Sequence, residues 1–113
     1  RLSLEASSVR RALLTHLKRQ SSELADQIER AAISTALNIS EGRRREGKDR
    51  LHCWRIALGS AAEVRTGLQI ALAMGYASPE ALEEIRALLD REIAIAWRLT
   101  HPRAGAPAAR AAR

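Results

Sequence analysis

Apolar residues recur every three or four positions through this chain, and cap-forming residues interrupt the recurrence at three places. Val9, Leu13, Leu14 and Leu17 share one helical face, which predicts a first helix from about Leu4 to Arg19. Ser21 and Ser22 then offer a hydroxyl N-cap, with Glu23 and Asp26 at the positive end of the next helix dipole. That second helix is expected from about Glu23 to Arg45, with Leu24, Ile28, Ala32, Thr35 and Ile39 as its apolar stripe. Gly47 predicts its stop, and Asp49 the cap of a third helix running to about Met74. Leu51, Trp54, Leu58, Ala61, Leu68 and Leu72 mark one side of the third helix. Gly59 and Gly67 lie inside it, where each costs about 1 kcal/mol relative to alanine. Two such residues predict a closely passing backbone. Gly75 ends the segment, and Ser78, Pro79 and the glutamates after them start a fourth helix. It continues through Ile85, Leu89, Ile93, Ala96 and Leu99 to Pro102.

Nothing in this pattern alternates with the two-residue period of a strand. The chain has no Phe, and its aromatic residues are Trp54, Trp97 and Tyr76. Its apolar mass is Ala, Leu and Ile, which suits packed helices. The expectation is an all-α fold, an antiparallel up-down-up-down four-helix bundle over residues 1–102, with residues 103–113 a flexible basic tail. No apolar run approaches the ~18 residues needed to cross a membrane. The single cysteine, Cys53, permits no internal disulfide, and a cytoplasmic location is expected.

The net charge is +6, and it is unevenly placed. Residues 1–20, 43–55 and 103–113 are basic, while the stretches between them are acidic on balance. Such blocks favour an anionic partner more than an even excess would. The densest block holds Arg43, Arg44, Arg45, Lys48, Arg50 and Arg55 around the junction of the second and third helices. Guanidinium groups fork onto phosphate oxygens, and each neutralised phosphate releases counterions. These six residues are the candidate nucleic-acid site, for RNA or DNA with weak sequence dependence, since no recognition module is present. The plainer reading is a solvated turn in which Glu46 and Asp49 pair with part of the charge. An alternative partner is the acidic surface of another protein.

Gln27, Arg30, Ser34, Asn38 and Glu41 form a polar stripe on the second helix. Asn38, Glu41, Ser60 and Glu63 are expected to make a structural network that fixes helix register, with Arg30 or Arg55 as further partners. Paired carboxylates also serve catalysis and metal binding. No histidine completes the Glu-x-x-His pattern of metal-binding bundles, and no nucleophile–base pair is present. No enzymatic role, cofactor or metal is therefore expected. His52 and Cys53 are adjacent, so they point to different sides of a helix. Trp54 and Trp97 are expected to anchor the core or a subunit interface.

The second and third segments carry a specific combination: Gln27, Arg30, Ala31, Ala32, Ser34, Asn38, Ile39, Glu41 and Gly42, then Ala57, Gly59, Ser60, Glu63, Leu68, Gly75 and Tyr76. This combination resembles the four-helix-bundle proteins encoded in intervening sequences of 23S rRNA genes. Ala36 stands where that family usually has proline, and Met74 where it has leucine. The resemblance implies a bundle that assembles into a ring, typically a homopentamer. It also implies kinship with the accessory variability protein of diversity-generating retroelements, a basic ring that binds nucleic acid beside a reverse transcriptase. On that basis the chain is expected to be an oligomeric accessory or scaffold protein.

Overall fold

A computed structural model describes residues 4–101, with side chains from Arg10 onward. It has four helices: α1 (Leu4–Gln20), α2 (Ser22–Arg43), α3 (Gly47–Ala73) and α4 (Pro79–Thr100). Local chemistry sets most of their ends. The Ser21 hydroxyl accepts from the Leu24 amide at 3.2 Å, and Ser78 does the same for Ala81 at 3.2 Å. Each satisfies one of the amides that a helix start leaves unpaired. At the end of α3 the Tyr76 amide reaches the Ala71 carbonyl (2.9 Å) and the Gly75 amide reaches Leu72 (3.1 Å). This double closure needs a left-handed residue, and Gly75 supplies it with φ +73°. The bundle end expected at Pro102 and the tail 103–113 lie outside the described residues.

Consecutive helices pack side by side and antiparallel, and α1 also touches α4, which closes the bundle. The molecule is a rod of 53 × 26 × 24 Å. The α2–α3 pairing is the most extensive, while α1 is held more sparsely. Leu17 is fully buried, a contribution of about 1.5–3 kcal/mol. Around it lie Leu13, Ile28, Val64, Leu68, Leu82, Ile85 and Leu89.

The buried face of α3 differs from the expected one. Trp54, Ala57, Ala61, Val64, Leu68 and Ala71 are buried, spaced alternately three and four apart. Leu51 and Leu58 are half-buried, and Leu72 is exposed. Small residues on this seam let α2 and α3 approach closely. At Gly67 an added Cβ would sit 2.5 Å from Ile28 Cγ1, so the close neighbour is a side chain rather than the expected backbone. Gly59 faces open space, with nothing within 4 Å of an added Cβ, which corrects the expectation there.

The α2–α3 junction is also shifted. α2 stops at Arg43, two residues short of the expected Arg45, and α3 starts at Gly47 rather than Asp49. Gly47 has φ +59°, so it bends the chain as the first residue of α3 instead of closing α2. Glu46 holds the N-cap position without a side-chain capping bond, and Asp49 lies inside the first turn.

Candidate nucleic-acid interface

The turn between Arg43 and Gly47 sits at one end of the rod. A buried tryptophan organises it. Trp54 is 7% exposed, and its ring lies directly on the backbone of Gly42; an added Cβ there would come within 2.6 Å of Cδ1 and 3.0 Å of Cε2. The indole N–H donates to the Ile39 carbonyl at 3.3 Å. On the ring stands the Arg50 guanidinium, 5.4 Å from the centroid, a cation–π contact. Arg50 Nε donates to the Gly42 carbonyl (3.0 Å) and Nη2 to the Arg43 carbonyl (3.3 Å). It thus adds a second donor to the Gly42 carbonyl, which also accepts from the Arg45 amide at 3.2 Å, caps that of Arg43, and places a cation at the negative end of the α2 dipole.

The six expected cations therefore divide by role. Arg50 is tied into the fold. Arg44 and Arg45 both bind Glu41, at 3.0 Å and 2.8 Å. The Arg45 hydrogen bond, and then the Arg44 one, hold the Glu41 carboxyl below the usual carboxylate range. Glu41 in turn raises the Arg45 guanidinium above its ordinary value. Arg43, Lys48 and Arg55 are exposed and make no ion pair among the described residues. The partner expected for this block was Glu46 or Asp49; both are exposed, and Glu41 takes that place. Six cations against Glu41, Glu46 and Asp49 leave a net positive cap at this end of the bundle.

The expected network of Asn38, Glu41, Ser60 and Glu63 is split. Ser34 and Ser60 hydrogen-bond across α2 and α3 at 2.8 Å. Asn38 Nδ2 donates to the Ser34 carbonyl (2.9 Å) and hydroxyl (3.3 Å). Ser34 is the hub, a residue the polar stripe contained but the quartet omitted. Glu41 turns away to its arginines. Glu63 is exposed beside a shallow groove that Gln27 and Thr66 also line, and no described side chain bonds to it. Arg30 and Arg55 are exposed and join neither cluster.

Trp97 is 43% exposed, which removes it from the core. It stacks on His101 with ring centroids 4.1 Å apart. Cys53 is half-buried and free. Among the described residues no three His, Cys, Asp or Glu side chains stand close enough to hold a metal ion. No described helix is long and apolar enough to cross a membrane.

One comparison bears on identity. The family model described as 23S rRNA-intervening sequence protein matches residues 5–96, which take in nearly all of the four helices. The chain belongs to that family. Comparisons with curated proteins and with solved structures gave no match.

Proposed function

We propose that this member of the family is a non-enzymatic, oligomeric helical-bundle protein that binds the phosphate backbone of RNA or DNA. One observation carries the reading. The α2–α3 end presents Arg43, Lys48 and Arg55 free to solvent on a rigid frame, with Arg44 and Arg45 beside them in surface ion pairs. Exposed pairs of that kind contribute only ~0–1 kcal/mol, so a phosphate can displace Glu41 from its arginines at little cost. Trp54 is buried under Arg50 and offers no face for base stacking, and the groups left free at the turn are cations rather than base readers. Binding is therefore electrostatic and weakly dependent on sequence.

Assembly into a ring, most simply the pentamer of the resembling proteins, would repeat this cap around one axis and raise the local potential. Ile33, Leu37, Ile56 and Ile70 are large apolar residues on α2 and α3 left exposed by the single chain. They give a ring apolar contact surface. The resemblance implies kinship with retroelement accessory proteins, and on that basis a reverse transcriptase is the process partner we favour. Ultraviolet crosslinking of the full chain to a labelled RNA, followed by peptide mapping, tests the site. Crosslinks concentrated in residues 43–55 are expected. Crosslinks spread over the surface, or none, would favour the acidic-protein partner instead.

A further inference from the structure

The bundle holds a cleft of about 300 Å³ between its four helices. It runs inward from the same end as the basic cap, whose Arg43 lines it together with Arg10 of α1. Leu14, Ile28, Ala32, Leu68, Leu89 and Ile95 line its depth, and Arg10, Arg43 and Glu92 stand among its lining residues as the charged ones. Thr35 also lines it, yet its hydroxyl is spent on the Ala31 carbonyl at 2.8 Å. No buried side-chain polar atom among the described residues lacks a partner, so nothing in the wall calls for water. The aliphatic depth of the cleft offers water no partner and so favours apolar groups there. The volume lies at the lower end of the ~300–1,000 Å³ range of small-ligand sites. At about 30 Å³ for a water-sized group, it holds roughly ten methylenes.

The geometry points to a ligand site for a medium-chain fatty acid or a like amphiphile with one anionic head. The aliphatic lining has no aromatic ring, which suits a flexible saturated chain rather than a planar one. The charged residues set the sign of the head. Arg10 meets Glu92 at a loose 3.8 Å and keeps donors to spare, and Arg43 is unpaired among the described residues. Two guanidinium groups, Arg10 and Arg43, stand against the single carboxylate of Glu92, which Arg10 already pairs, so the lining is net positive and favours an anionic head over a cationic one. Because Arg43 also belongs to the basic cap, occupancy of the cleft would withdraw one cation from the phosphate surface. The site itself stands whether or not that surface binds nucleic acid.

The test uses the full chain with sodium decanoate and 1-decanol, each below micelle formation, followed by titration calorimetry and thermal melting. Decanoate should bind once per chain and raise the melting temperature, and decanol should bind several-fold more weakly. The double change Arg10→Gln and Arg43→Gln should bring decanoate down to the level of decanol. Ala32→Phe, which fills the cleft, should abolish uptake of both while the circular dichroism stays helical; Ala36→Phe at the mouth provides the same test if Ala32→Phe does not fold. Absence of saturable uptake, undiminished uptake by a folded filled variant, or decanol binding as tightly as decanoate would overturn the proposal. So would burial of the cleft by a second copy, seen as concentration-dependent protection of its methyl groups without ligand.

Discussion

Alanine in place of a helical glycine ordinarily stabilises, so Gly42→Ala is a sharp test of the Trp54 seat. In an open helix the change would gain about 1 kcal/mol. Here the new methyl would lie within 2.6 Å of Trp54 Cδ1, and the ring cannot move freely. It is buried, its N–H is bonded to Ile39, and Arg50 covers it. Overpacking of this kind costs about 1–3 kcal/mol, and loss of the indole hydrogen bond about 1 more. Set against the gain in propensity, the net effect is a destabilisation of about 1–3 kcal/mol. For a domain of this size each kcal/mol lowers the melting temperature by about 4–8 °C. The control is Gly59→Ala, where nothing lies within 4 Å, and it should raise the melting temperature. Both melts are run at one fixed protein concentration, since self-association of a chain makes its midpoint depend on concentration. In a Trp97→Phe background the Trp54 emission should also move to the red in Gly42→Ala. If both alanine variants gain stability alike, the ring does not rest on Gly42 and the account of the junction fails.

Other outcomes follow from the same contacts. Glu41→Gln should free Arg44 and Arg45, tightening nucleic-acid binding and steepening its salt dependence in an anisotropy titration. Because the Glu41 carboxyl is held low, its ion pairs are intact above the usual carboxylate range of about 4.3 and are lost as pH falls through its depressed value. Acid melts of wild type and Glu41→Gln should therefore converge. Ser34→Ala and Ser60→Ala, taken singly and together in a double-mutant cycle of urea melts, should show a coupling of about 0.5–1.5 kcal/mol. Glu63→Leu should shift stability by no more than about 0.5 kcal/mol, as for other exposed positions; a larger loss would mean that Glu63 is partnered by another molecule in solution.

Helix ends set by a single hydroxyl or a left-handed glycine were legible in the sequence, because Ser21, Ser78 and Gly75 act on amides and carbonyls a few residues away. The α2–α3 junction was not, because its limit is set from a distance. Arg50 reaches back to the carbonyls of Gly42 and Arg43, and no local pattern distinguishes an arginine that closes a helix from one that meets solvent. The face of α3 was misjudged where size stood in for burial. The large Leu58 and Leu72 drew the stripe one residue off the seam, while Ala57 and Ala71, fully buried, carried the true spacing. In the candidate site the arginine run was visible as charge density. Its division into free, paired and structural cations was not, since that depends on which side chain Glu41 meets. Gly42 followed by an aromatic one to two turns into the next helix was an available sign of the Trp54 seat.

The salt dependence of binding tests the central claim most directly. The logarithm of affinity for a labelled RNA or DNA should fall linearly with the logarithm of salt, with a slope of about 0.7–0.9 per phosphate neutralised. Three free cations, Arg43, Lys48 and Arg55, give each chain a slope of roughly −2 to −3, before any contribution from Arg44 and Arg45. Changing all three to Glu should weaken binding to RNA and DNA alike and flatten the slope, with the circular dichroism and melting temperature little altered. A wild-type chain that does not bind, or a triple variant with unchanged affinity and slope, would leave the arginine run a solvated turn between α2 and α3.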